Sequence, residues 1–128
     1  MIRSKDQLKN FTLTELRQFD GKEGRKIYIS IGGKVFDCTP GVSFYGPGGP
    51  YEMFAGRDIS LAAAKFSKDE VHLESPSLVD ITPAEKDSFF HFYNMLYGKY
   101  HIIGLLEGNN YAEQLEKMKE KQTEALKQ

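Results

Sequence analysis

The chain has one cysteine, Cys38, so no disulfide can close within it. That usage suits a reducing compartment, where thiols persist. An excess of either charge is also missing: 17 basic and 18 acidic residues are interspersed and leave a net charge of -1. Specific nucleic-acid binding needs a basic face, which such a balance does not supply, and no groove-reading helix is visible. Long apolar runs are absent as well. The richest, Ile102 to Leu106, contains a glycine and is far too short to cross a bilayer. Met1 to Asn10 is mixed polar and charged, without the apolar stretch of a signal peptide.

Catalytic and metal-binding patterns are equally scarce. His72, His91 and His101 show no metal-ligand spacing, and without paired cysteines a zinc site is not expected. The loop Gly46-Pro47-Gly48-Gly49-Pro50 fails as a phosphate cradle, because proline has no amide hydrogen and no Lys-Ser or Lys-Thr ending follows. It fails as a dinucleotide loop too, since Tyr51 stands where the last glycine belongs. The segment from Gly41 to Gly46 is one residue too long for a nucleophile elbow. Cys38, on a strand, reads as a packed core thiol. His91 reads as a packing residue in an aromatic helix, and His101 as a partly buried strand residue. The expectation is a protein without catalytic residues.

What is present is a chain long enough for one domain with a real core, 40% apolar over 128 residues. Phe11 to Gly21 predicts a short helix, with Thr12 and Glu15 at capping-box spacing and Gly21 as a left-handed stop. Lys26 to Thr39 predicts a β-hairpin turning at Gly32-Gly33, with Ile27, Ile29 and Ile31 on one face. Val42 to Pro50 reads as a Gly/Pro-rich loop and Tyr51 to Phe66 as a helical stretch bent at Gly56. Ser67 with Glu70 has the spacing to cap one more turn. Thr82-Pro83, with Glu85, opens a longer helix whose face carries Phe89, Phe92, Tyr93 and Leu96, ending at Gly98. Lys99 to Leu106 reads as extended. Beyond Gly108 a charged helix, Tyr111 to Lys127, carries a narrow apolar stripe of Tyr111, Leu115, Met118 and Leu126. This order predicts an α+β domain. Its parts are a tail (residues 1–9), the domain (10–106) and a charged amphipathic C-terminal helix (107–128) on which the ligand site does not depend.

The tyrosines are the unusual feature. Tyr45 and Tyr51 flank the Gly-Pro loop, Phe44 and Phe54 lie beside them in sequence, and Lys99-Tyr100 follows the aromatic helix. Aromatic residues in a small domain usually mean core. Two tyrosines bracketing a stiff loop also suit a flat ligand, because a loop that is already ordered loses little entropy on binding.

At these residues the sequence resembles the membrane-associated progesterone receptor family, a branch of the cytochrome b5-like heme/steroid-binding domains. The similarity runs from about Phe11 to Leu106. It is most specific over Phe44-Tyr45-Gly46-Pro47-Gly48-Gly49-Pro50-Tyr51 into Phe54-Ala55-Gly56-Arg57-Asp58, and Lys99-Tyr100-His101 with Gly104 completes it. The resemblance implies a heme crevice between paired short helices above a small sheet, with heme b (ferric iron protoporphyrin) as cofactor. It implies Tyr51 as iron ligand, with Tyr45, Lys99 and Tyr100 in the pocket. The His-Pro-Gly-Gly ligand loop of ordinary cytochrome b5 is absent, and Phe92 stands near the place of a family tryptophan. The implied function is non-enzymatic: heme delivery, or support of sterol-metabolising heme-thiolate monooxygenases. The alternatives are a heme-free steroid or lipid binder, or an adaptor acting through the C-terminal helix. A second copy of the chain is a further candidate partner. The expected location is intracellular, cytoplasmic or peripheral on endoplasmic reticulum membranes, with no transmembrane segment in this chain.

Overall fold

In the computed structural model the described residues are 8–75, 78, 80–108, 111 and 114. In chain order the elements are β1 (Lys9–Phe11), α1 (Leu13–Leu16), β2 (Tyr28–Ile31), β3 (Lys34–Asp37), α2 (Val42–Tyr45), α3 (Ser60–Lys65), α4 (Pro83–Lys99) and β4 (His101–Leu106). Both capping boxes form. Thr12 Oγ1 accepts from the Glu15 amide at 3.1 Å, and Glu15 accepts from the Thr12 amide at 3.3 Å. Thr82 and Glu85 repeat the exchange at 3.1 and 2.8 Å. Each box satisfies two amides that a helix start leaves unpaired.

The hairpin also forms as expected. Gly32 and Gly33 take φ of +62° and +85°, the mirror-image turn whose twist matches paired strands. β2 pairs with β3, β3 with β4, and β4 with β1, giving the order β1-β4-β3-β2; only the β1–β4 pair is parallel. The α+β class expected from the sequence is the observed one. Ile27, Ile29, Ile31, Val35, Phe36, Leu16, Phe89 and Leu96 form the heart of the core.

Several expectations are corrected. Phe11 is not the start of a helix but the last residue of β1, and α1 covers four residues only. Lys9, assigned to a tail, pairs with Gly104. The first part of the Gly/Pro-rich loop is the helical turn α2, closed where the Gly46 amide donates to Val42 O at 2.8 Å. The stretch from Tyr51 to Phe66 is split into a 3-10 turn, Glu52–Phe54, and α3. Gly56 causes the split: at φ +76° its amide donates to Tyr28 O, and residues 57–59 then bond to Ser30 of β2 on both sides. Asp69, not Ser67, caps the turn Glu70–His72. α4 continues through Gly98 to Lys99, because the Tyr100 amide still donates to Leu96 O. His91 and His101 are exposed rather than packed.

Most of the helix expected over Tyr111 to Lys127 lies outside the described residues. Tyr111, however, is 1% exposed and belongs to the core, and Gln114 Oε1 accepts from the Leu78 amide at 2.8 Å. Packing on the domain thus extends past the boundary drawn at residue 106. Among the described residues no helix is long and apolar enough to cross a membrane.

Candidate functional site

The site is built around the turn that presents Tyr51. The Tyr51 amide donates to Phe44 O at 2.9 Å, and the Gly49 amide to Gly46 O at 2.9 Å. This folds the loop back onto α2. Gly49 is required by that approach: a Cβ there would stand 2.6 Å from Phe44 O. Tyr51 is followed directly by the 3-10 turn, so its ring direction is fixed. Phe54 stacks on it at 5.5 Å between centroids, and Phe92 of α4 meets Tyr51 and Phe54 edge-on at 6.4 and 6.0 Å.

A cleft of about 170 Å³ opens beside these rings, lined by Tyr51, Phe54, Ala62, Ala63, Phe66, Ser67, Lys68 and Phe92. Its volume falls below the roughly 300–1,000 Å³ of pockets that enclose a drug-sized ligand. A cleft of this size has room for only part of a larger flat molecule. The small side chains of Ala62 and Ala63 leave the space. Ser88 Oγ of α4 donates to Ala63 O at 2.7 Å and Lys65 pairs with Glu85 at 2.8 Å, which hold α3 and α4 together. Phe66 stands at the rim, 88% exposed, in the left-handed region at φ +52°. For a non-glycine residue that conformation costs roughly 1–2 kcal/mol.

The four residues singled out by the sequence are placed unequally. Tyr51 lines the cleft. Tyr45 lies behind it with ring centroids 6.1 Å apart, and Tyr100 lies behind Tyr45 at 6.4 Å. Burial pushes the phenols of Tyr45 and Tyr100 above their usual value, so both stay neutral and able to donate. Lys99 is exposed, with its ammonium over the Phe44 ring at 5.9 Å, outside the cleft lining. The Tyr51 hydroxyl has no hydrogen-bond partner among the described residues. Aromatic walls, an alanine floor and one available phenol oxygen fit a flat, mostly apolar group that takes an oxygen donor. Cys38 is fully buried, and burial pushes its thiol far up, which leaves it inert.

Sequence reasoning passed over two features. Ala62, Ala63, Phe66 and Lys68 carried no signal that set them apart from an ordinary short helix and its exit. The other is a buried polar node at the start of α3. Asp58 Oδ1 accepts from Ser30 Oγ and Ser60 Oγ, both at 3.0 Å, and Oδ2 from the Tyr111 hydroxyl at 2.8 Å. The same hydroxyl lies against Ser75 O. Burial raises the Asp58 carboxyl to about 6, against the pull of the three hydroxyls and the Ser60 amide.

A small mixed sheet that carries an aromatic cleft between a short helix and a long one defines a binding module for a flat apolar ligand. Residues 12–127 match the Cytochrome b5-like Heme/Steroid binding domain, and the chain belongs to that family, in its membrane-associated progesterone receptor branch. It is 44% identical over 95 residues to probable steroid-binding protein 3 of Arabidopsis thaliana, covering 73% of this chain and 94% of that one. It is 40% identical over 100 residues to human membrane-associated progesterone receptor component 2, covering 77% of this chain but 45% of the relative. Cytochrome P450 regulator dap1 of Schizosaccharomyces pombe (strain 972 / ATCC 24843) is 31% identical over 104 residues, covering 77% and 63%. Thus the chain spans less than half of the human relative. A solved Arabidopsis thaliana protein with a cytochrome b5 like fold superposes with a TM-score of 0.71 at 41% identity, covering 81% of this chain and 95% of that one.

Proposed function

We propose that the cleft binds ferric heme b through the Tyr51 oxygen, and that the domain, itself non-enzymatic, delivers heme to or supports sterol-metabolising heme-thiolate monooxygenases. The observation that carries this reading is the Tyr51 phenol on the cleft wall, stacked and directed but without a hydrogen-bond partner among the described residues. Bound heme would supply the redox and Lewis-acid chemistry of its iron. Tyr51 would hold the iron through a hard oxygen, which favours the ferric state. Phe54 and Phe92 would flank the macrocycle, and Ala62 and Ala63 would leave it room. Tyr45, held neutral by burial, buttresses Tyr51 from behind and is buttressed in turn by Tyr100. Lys99 would guard the outer face at Phe44. Support for the partner class comes from the relative named a P450 regulator, and for peripheral residence on membranes from relatives named membrane-associated.

A heme-free steroid site is the second reading, favoured by the apolar lining and by the relative named a steroid-binding protein. Absorption spectroscopy separates the two. Ferric heme on the wild-type protein should give a phenolate-to-iron charge-transfer band that disappears in Tyr51→Phe, with affinity lower by at least about tenfold. His91→Ala and His101→Ala should change neither. A Tyr51→Phe variant with wild-type spectrum and affinity would refute the tyrosinate assignment, and a stoichiometric steroid in place of heme would establish the second reading.

A further inference from the structure

Most cations around the cleft are already paired. Lys65 holds Glu85 at 2.8 Å, and Arg57 reaches Glu70 and Glu74 at 3.3 and 2.8 Å. Lys68 differs. It is the one cation in the described cleft lining, and among the described residues no carboxylate lies within ion-pair distance of it. Its ammonium instead donates to Pro50 O at 3.3 Å and lies 5.5 Å from the centroid of the Tyr51 ring. Both are weak contacts for a group with three donors. They keep the charge at the cleft wall without neutralising it.

We propose that Lys68 anchors a carboxylate on the outer edge of the cleft's ligand, so that the site selects flat apolar molecules with an acidic edge over neutral ones of the same shape. The cleft admits only part of a large flat molecule, and the edge left at its mouth comes within reach of this ammonium. Binding exchanges a long bond to a carbonyl for a charge-assisted pair, which is shorter and stronger. The apolar stem of the lysine covers the ligand's flank while the head stays at the water boundary. The proposal rests on the heme reading in so far as the two propionates of heme are such an edge. It also defines the class more widely, as amphiphiles with one carboxylate-bearing side.

The test uses the full chain, with Lys68→Met and Lys68→Arg, titrated at low salt with three porphyrins. These are ferric protoporphyrin IX, metal-free protoporphyrin IX and the metal-free dimethyl ester. Lys68→Met should weaken both diacids about tenfold, the value of one charge-assisted hydrogen bond. It should leave the diester unchanged, and Lys68→Arg should restore the diacids to within about twofold of wild type. The metal-free diacid has no iron for Tyr51 to hold, so Tyr51→Phe should weaken only the ferric one, which keeps the two readings separable. Equal losses for diacid and diester, or no loss for either, would overturn the anchor. If the wild-type chain binds no porphyrin, the heme reading falls and the same comparison is made with a steroid hemisuccinate and its methyl ester. A preference for the acid that vanishes in Lys68→Met then upholds the anchor, and its absence overturns it.

Discussion

Replacing Tyr111 by phenylalanine removes one buried hydroxyl and keeps the ring. In the wild-type chain that hydroxyl donates to Asp58 Oδ2 at 2.8 Å, inside a node that also contains Ser30 and Ser60. A hydrogen bond to a charged group contributes about 1.5–3 kcal/mol, and leaving such an acceptor unmet in the interior is costly. At pH 8, where Asp58 is ionised, Tyr111→Phe should therefore lose about 2 kcal/mol. For a domain of this size that lowers Tm by roughly 6–10 °C. At pH 5 the carboxyl, whose value burial raises to about 6, is mostly neutral, and the loss should shrink toward about 1 kcal/mol. Urea titrations followed by far-UV circular dichroism at both pH values measure this, with the m-value unchanged because the same area is exposed on unfolding. A loss under about 0.5 kcal/mol at pH 8, or equal losses at both pH values, would refute the account of the node.

Other substitutions probe other parts. Asp58 has a folded-state value above its unfolded one, so the folded chain binds its proton more tightly, and stability from this group rises as pH falls through about 6. Between pH 8 and pH 5 the wild type should gain about 1 kcal/mol that Asp58→Asn lacks, measured by the same denaturation. Glu74 acts in the opposite sense. Partial burial pushes it up, but Arg17 and Arg57 hold it below its usual range, so its contribution is present above about 4.5 and lost below. Phe66→Gly should stabilise the fold by about 1 kcal/mol through relief of the left-handed strain, while weakening the binding of ferric protoporphyrin IX; unchanged stability would show that no strain is stored there. Gly104→Ala should destabilise by about 2 kcal/mol or more, since its Cβ would stand 2.5 Å from Lys9 O and from the Phe11 ring. A neutral result in thermal melts would mean that β1 is not docked on β4.

The sequence was legible where the determining interactions are local. Both capping boxes span three residues, and the Gly32-Gly33 turn needs only its own backbone angles and two alternating runs. It was not legible where partners are remote. Lys9 looks like the end of a polar tail and Phe11 like the start of a helix, because their only claim to be a strand is the edge of β4. The four residues of α2 sit among glycine and proline and are held by closure onto Gly46 and Tyr51. Residues 56–59 follow good helical signals, yet Gly56 turns them along β2. At the site, Tyr45 and Tyr51 stood out by flanking the Gly-Pro loop, while Phe92 was marked only by the family resemblance. Ala62 and Ala63 did not stand out, since a cleft floor is made by what a side chain lacks. Tyr111 meets Asp58 across 53 positions, a distance over which no sequence periodicity carries information.

The parallel pairing of Lys9 with Gly104 has a consequence for how the protein is made. β1 leaves the ribosome before β4 and waits for a neighbour synthesised about 90 residues later, which at ~5–20 residues per second is a delay of roughly 5–20 s. Until then its slot on β4 does not exist, and Phe11 has no core to enter. The sheet therefore cannot close until β4 has been made. A nascent chain paused anywhere short of β4 would expose the same apolar faces that hold the finished domain together, and would depend on chaperones for that interval.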